Sequence, residues 1–280
     1  MARCELCIHH CELKEGQRGR CLARMCRDGE VVPENYACVT SIALDPIEKK
    51  PLAHFYPGSR ILSVGSYGCN LSCPFCQNHE ISHPADLEEL RYQSRIISPE
   101  ELTELAERFV PEGNIGVAFT YNEPLVGVEY VLDSAKILHE RGLKTVMVTA
   151  GLATEETCER LRGHIDAMNI DLKAFTDRFY KDLIGGERQT VMRFIETAHS
   201  FAHVELSCLI IPGENDEPAE MDELAAWVAS LPGGEEIPLH VSRFFPRYRM
   251  KDRGPTDVEK VYALAEVAGK YLKRVHTGNC

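Results

Sequence analysis

The residues best suited to chemistry lie in one run, Gly68-Cys69-Asn70-Leu71-Ser72-Cys73-Pro74-Phe75-Cys76-Gln77-Asn78, whose thiols follow the spacing C-x3-C-x2-C. Thiolate sulfur is the ligand that iron–sulfur clusters and zinc select. Both usually take four protein ligands, and this run supplies three. His79 and His83 are the nearest further candidates, and the next cysteine is Cys158. Three thiolates on a [4Fe–4S] cluster leave one iron open to a substrate or cofactor. A zinc loop completed by His79 or His83 is the competing reading.

A second thiol group precedes it: Cys4, Cys7, Cys11 and Cys21, with Cys26 and Cys38 following and His9 and His10 alongside. This short polar segment has no apolar periodicity and cannot build its own core, so it is expected to fold around a metal. Zinc is the first expectation, a second iron–sulfur cluster the alternative, and free thiols the bland one. The start Met1-Ala2-Arg3-Cys4 lacks the charged-then-apolar pattern of a signal sequence, and no apolar run reaches spanning length. A cytoplasmic protein is therefore expected, in which twelve cysteines serve metals or redox chemistry rather than disulfides. A net charge of -12 argues against nucleic acid and anionic membrane as partners.

The remaining pattern is that of elements able to position such a site. Apolar, β-branched runs at 61–67, 115–121, 145–149, 167–172, 204–211 and 239–244 read as buried parallel strands, with a last short one at 275–277. Amphipathic segments between them read as helices: 99–110, 126–141, 155–162, 188–201, 221–230 and 256–272. Ser98 and Glu101 form a capping-box pattern at the first of these. Tyr36 to Leu44 reads as a strand, and Asp45 to Gly58 as an irregular connector rich in turn formers. The expected division is a cysteine-rich extension and connector over 1–59 and an α/β unit over 60–280. Six β/α units make a barrel or part of one, with a doubly wound sheet as the alternative. In a barrel, function collects in the loops after the strands.

With Phe75 before its last cysteine, the cluster run resembles the C-x3-C-x-aromatic-C signature of the radical S-adenosylmethionine (SAM) superfamily. That resemblance implies a partial (β/α)6 TIM-type barrel. It also implies an open iron on the cluster of Cys69, Cys73 and Cys76 that chelates the amino and carboxylate groups of SAM, and reductive cleavage to a 5′-deoxyadenosyl radical. Asn122-Glu123-Pro124 resembles the Gly-Gly-Glu-Pro element that receives the methionyl amino group, with Tyr121 and Asn122 in place of the glycines. The Val148–Gly151 and Asn169–Lys173 stretches are similar to segments of pyruvate formate-lyase activating enzymes. By that likeness Thr149 and the candidate catalytic pair Asp171 and Lys173 belong at the cofactor or the substrate mouth. Val148 stands where those enzymes carry an acid that helps hold a monovalent cation.

By the same resemblance Pro212 lies near the adenosyl group and His240 contacts SAM. Read from the residues alone, Glu123 is a helix N-terminal acid, Asp171 and Lys173 a rim ion pair, and His240 a hydrogen-bonded core histidine. Over its whole length the chain is most similar to the AmmeMemoRadiSam-system radical SAM proteins, through the Cys4–Cys21 pattern, the run from Asp45 to Leu52 and Thr277-Gly278-Asn279-Cys280. The implied activity is oxidoreductase chemistry of the activating-enzyme kind. SAM, a protein substrate and an electron donor such as flavodoxin or ferredoxin are the implied partners. Modification of a small molecule or RNA, and a zinc-organised interaction module without turnover, are the rival readings.

Overall fold

A computed structural model describes residues 1–280. Short hairpins occupy the first forty residues. β1 (Ala2–Arg3) pairs with β2 (Glu12–Leu13), and β3 (Arg24–Arg27) with β4 (Glu30–Pro33). The second hairpin turns on Asp28 and Gly29, both at positive φ, which matches the right-handed twist of the flanking strands. β5 (Cys38–Val39) follows, then β6 (Ser41–Pro46), which runs antiparallel to β7 (Arg60–Gly65). After β7 come α1 (His79–Ser82), α2 (Leu87–Gln93) and β8 (Arg95–Ile96), which pairs back with β5.

The rest alternates helix and parallel strand: α3 (Pro99–Arg108), β9 (Asn114–Phe119), α4 (Val128–Glu140), β10 (Lys144–Thr149), α5 (Glu155–Glu159) and β11 (Ala167–Asp171). It continues with α6 (Arg188–His199), β12 (His203–Ile210), α7 (Pro218–Ser230), β13 (Leu239–Arg243), α8 (Val258–Ala268) and β14 (Val275–Gly278). The capping box at Ser98 and Glu101 forms as expected. No helix is long and apolar enough to cross a membrane.

Strand order decides between the two expected architectures. The main sheet runs β14-β13-β12-β11-β10-β9-β7-β6, in strict sequence order. A doubly wound sheet would reverse direction at a switch point. The end strands do not pair with each other, so the fold is a partial, open barrel. It has one parallel strand beyond the six units, β14 at the expected 275–277 position, and one antiparallel strand, β6, that lies before residue 59.

The connector after β6 does more than link. Ile47 and Leu52 are fully buried against Ile61, Ala118, Val146 and Ala167, residues of four neighbouring strands. Small inward residues at 118 and 167 leave room for them. Burying two such side chains contributes roughly 3–6 kcal/mol, so the connector is a plug in one end of the barrel. Glu205 of β12, fully buried, anchors it by accepting from the amides of Ala53 (2.9 Å) and His54 (2.7 Å). The connector forms this floor because its two apolar residues are spaced to face inward while its prolines and charges make the turns.

Candidate active site

The C-terminal ends of the strands surround a cavity of about 330 Å³. At one side stand Cys69, Cys73 and Cys76, from the loop after β7, with Phe75 beside them. The loop begins at Gly68, whose φ of +92° belongs to the left-handed region and whose position leaves no room for a side chain: a Cβ would lie 2.5 Å from the Cys21 carbonyl oxygen. The Leu71 amide donates to the Cys69 sulfur at 3.4 Å. Burial, reinforced by the Glu123 carboxylate, pushes the Cys69 thiol well above its ordinary range. Burial pushes the Cys73 thiol up to about 12, against the opposing pull of the Lys173 ammonium. Left to themselves these thiols hold their protons, and a bound metal is what makes them thiolates.

No fourth ligand joins them. His79 stacks on Tyr248 with ring centres 4.3 Å apart, His83 lies half-buried against the Leu71 backbone, and neither lines the cavity. The zinc-loop reading therefore lacks the residue it requires. Three soft ligands on the wall of a half-open cavity fit a [4Fe–4S] cluster with an open iron.

The loop after β9 forms the adjoining wall. Tyr121 occupies one of the expected glycine positions and keeps a glycine-like backbone, with φ of +73°. That conformation costs an L-residue roughly 1–2 kcal/mol. It is held by the Tyr121 hydroxyl donating to Asp45 (3.0 Å), by the Lys50 ammonium 4.7 Å above the ring, and by Asn78, which donates to the Tyr121 carbonyl (2.7 Å). Asp45 in turn binds Lys50 at 3.0 Å. Burial disfavours the Asp45 carboxylate, but these donors outweigh it and hold the carboxyl down at about 2. Asn122 is fully engaged, accepting from the Ser66 amide and donating to the Gly68 and Glu123 carbonyls.

Glu123 is buried and ties two loops together. Its oxygens accept from the Thr149 hydroxyl (2.6 Å), the Ala150 amide (2.8 Å) and the Leu125 amide (3.1 Å). Burial pushes its carboxyl above the ordinary range despite these donors. A carboxylate has roughly four acceptor sites, so one remains for an ammonium. Glu123 and Thr149 thus act as a pair across β9 and β10.

Asp171 and Lys173 bond each other at 2.6 Å on the cavity wall, and the Lys173 amide donates to the Tyr180 hydroxyl oxygen at 3.1 Å. Burial works against the Lys173 ammonium, yet Asp171 and Cys73 together hold its pKa above the usual lysine range. Side by side they offer an acceptor and a cationic donor, the two groups that a zwitterionic amino-acid end requires. The cavity thus presents soft ligands for a cluster and both charges for SAM, and the residues fit the pair.

Two expected contacts fall elsewhere. His240 does face the barrel interior, but it lies two residues before Ser242, the residue of β13 that lines the cavity. Two residues along a strand is a drop of about 6–7 Å. There its ring nitrogen bonds Glu205 at 2.7 Å, as a hydrogen-bonded core histidine does. Pro212 lies outside the cavity, where its carbonyl accepts from Arg253 at 2.8 Å. Of the basic loop from Arg243 to Arg253, both end residues are held internally, Arg243 by the Thr256 carbonyl and Arg253 by Pro212 and Glu214. Sequence reasoning missed Asn169, Ser207 and Asn279, which also line the cavity. The inward parity of Asn169 and Ser207 with Asp171 was the available signal.

A three-thiol site with its fourth position open, at the C-terminal mouth of a partial parallel barrel, defines a class of enzyme that binds a cofactor to the exposed iron of a cluster. The chain belongs to the radical SAM superfamily, whose profile matches residues 63–225. An uncharacterized protein of Methanocaldococcus jannaschii is 39% identical over 99% of this chain and 81% of its own length. Pyruvate formate-lyase-activating enzyme of Clostridium pasteurianum is 27% identical over 78% of this chain and 92% of its own. Among solved structures, SuiB of Streptococcus suis bound to S-adenosylmethionine shares the fold, with a TM-score of 0.59 and 16% identity over 76% of this chain and 48% of that one.

Proposed function

We propose that this chain is a radical SAM oxidoreductase that acts on a protruding segment of a polypeptide. The observation that carries the reading is the three-thiol wall of a cavity whose opposite groups suit SAM. In it, Cys69, Cys73 and Cys76 would hold the cluster, and Glu123, Asp171 and Lys173 would bind and orient the amino-acid end of the cofactor. Bound there, the cluster and SAM would together supply the one-electron chemistry that yields a carbon radical able to take a hydrogen atom. The protein's part is positional: Phe75 and the loop after β7 wall the site from water, and the Tyr121 turn fixes the acceptors.

A polypeptide is favoured over an enclosed small molecule by size. Binding pockets for drug-sized ligands run to roughly 300–1,000 Å³, and this one, at about 330 Å³, must already take the cofactor. What is left suits one small side chain offered from outside. The net charge of -12 speaks against RNA. The likeness to an activating enzyme agrees with a protein substrate, and the N-terminal thiol pattern supports the AmmeMemoRadiSam-system subgroup. All twelve cysteines are free, which suits a reducing, cytoplasmic setting and a donor such as flavodoxin or ferredoxin.

The test is anaerobic reconstitution with iron and sulfide. The native chain is expected to turn brown and to release 5′-deoxyadenosine from SAM when dithionite is added, and the Cys69→Ala/Cys73→Ala/Cys76→Ala variant to do neither. Reductive cleavage by that variant would overturn the assignment. Stimulation of cleavage by the protease-sensitive, non-dialysable part of a cell extract is expected. Stimulation by the dialysable part alone would overturn the polypeptide reading.

A further inference from the structure

The N-terminal thiols are not part of the cavity just described. Six cysteines fall between residues 4 and 38, and the fold sorts them. Cys4, Cys7, Cys11 and Cys21 line one small closed space of about 10 Å³. Cys26 instead lies against Glu15, and Cys38 sits in β5. The sorting is done by the backbone: the Cys4 amide donates to the Cys11 carbonyl at 3.0 Å as β1 meets β2, and a turn at Gly19 and Leu22 brings Cys21 round.

Three features give this space the character of a ligand site. The amide two residues after the cysteine lies beside its sulfur at Cys7 (that of His9) and at Cys21 (that of Ala23), the arrangement in which Leu71 donates to the cluster ligand Cys69. An amide beside a sulfur helps fix where that sulfur points, as the outer contacts of a metal site do for its ligands. The Arg24 guanidinium, 7% exposed and paired with Glu129 at 2.9 Å, lies close enough to Cys4 and Cys21 to offset part of their negative charge. The volume is that of about one water-sized occupant, the scale of a single ion.

The same segment is bonded to the catalytic loop at three successive points. The Cys69 amide donates to the Cys21 carbonyl (3.2 Å), the His9 ring bonds the Asn70 carbonyl (2.8 Å), and Arg20 donates to the Ser72 hydroxyl (3.2 Å). We propose that Cys4, Cys7, Cys11 and Cys21 hold one zinc ion, and that this centre braces the loop carrying Cys69, Cys73 and Cys76. No three His, Cys, Asp or Glu side chains stand at single-ion spacing anywhere in the chain, the three cluster ligands included. Both thiol sets therefore close on what they hold as it binds. The zinc claim stands without the SAM-cleaving reading; the bracing claim rests on it.

Metal analysis of the Cys69→Ala/Cys73→Ala/Cys76→Ala variant, purified in air, tests the first claim. About one zinc per chain and no iron is expected from a four-thiolate structural site. No metal, or several irons without zinc, would overturn it. The second claim is tested on the native chain with zinc stripped by a chelator, and in parallel on Cys4→Ser/Cys11→Ser, which leaves the Cys21 carbonyl in place. Hydrogen exchange at the amides of residues 69–72 is expected to rise at least several-fold in both, and iron uptake on reconstitution to fall. Exchange and iron uptake equal to those of the zinc-loaded chain, with circular dichroism showing the barrel intact, would refute the brace. Failure of SAM cleavage with both metals bound would count against the proposed function and leave the zinc centre standing.

Discussion

Replacing Glu205 with Gln should destabilise the barrel far more than its distance from the active cavity suggests. The side chain is fully buried, and its two oxygens accept four hydrogen bonds: Oε1 from the His54 amide (2.7 Å) and His203 (3.0 Å), Oε2 from the Ala53 amide (2.9 Å) and His240 (2.7 Å). Gln keeps the shape but turns one acceptor into a donor that faces two donors. The imidazole opposite it can change tautomer and accept, so one amide is left opposed and the charge is lost from the rest. Hydrogen bonds to a charged group contribute about 1.5–3 kcal/mol each, which sets the expected loss at about 3–5 kcal/mol. Burial alone would raise the Glu205 carboxyl; His203, His240 and the two amides outweigh it and hold it far below the ordinary range. Its stabilisation is therefore complete above the unfolded value of about 4.3 and lost as pH falls below it. The gap between native and E205Q, read by urea unfolding, should be constant from pH 7 to 5 and then narrow by about 1.4 kcal/mol per unit. A loss under about 1 kcal/mol at pH 7, the worth of one neutral hydrogen bond, or a gap that widens on acidification, would refute the reasoning.

Gly68→Ala should impair iron uptake, because its Cβ would meet the Cys21 carbonyl and its φ costs an L-residue about 1–3 kcal/mol; normal cluster loading would show that the loop can shift. Asp171→Asn should lower stability by about 2–4 kcal/mol, less than for a fully buried pair because Asp171 is partly exposed. Calorimetry should also show weaker SAM binding, and unchanged affinity would make the pair purely structural. Ser98→Ala should cost about 1 kcal/mol from loss of the cap, with SAM cleavage at the native rate, and a slowed rate would contradict its placement far from the site.

Elements with strong local signals were legible in the sequence. The Ser98 and Glu101 cap, every parallel strand and the short last strand lie where their apolar runs place them. Helix limits were less so: 256–272 shrinks to Val258–Ala268 and 155–162 to Glu155–Glu159, since fraying at ends depends on packing rather than pattern. The connector was opaque because its function rests on two apolar residues, Ile47 and Leu52, among turn formers, and what they bury against is far off in sequence. Within the site, Cys69, Cys73, Cys76, Glu123, Thr149, Asp171 and Lys173 come together as their motifs imply. His240 and Pro212 do not, because a motif gives a strand and a side but not the depth along it. The left-handed Tyr121 was also hidden: a tyrosine there looks like a lost glycine until Asp45 and Lys50, more than seventy residues earlier, are seen to hold it.

An open barrel has two raw margins, and a strand margin with free amides and carbonyls is a template on which another molecule can build. Here β14 bounds one side of the sheet and β6 the other. The plug bears on the first of these: His54 meets His276 in mid-strand at 2.8 Å, and the His276 ring stacks on His240 with centres 5.1 Å apart. A strand added at β14 would run alongside this contact and the segment that Glu205 holds down. The same few residues that close the floor of the cavity thus also rest on the sheet's margin strand, so loosening them would uncover the inner face of β14 as well as cost stability.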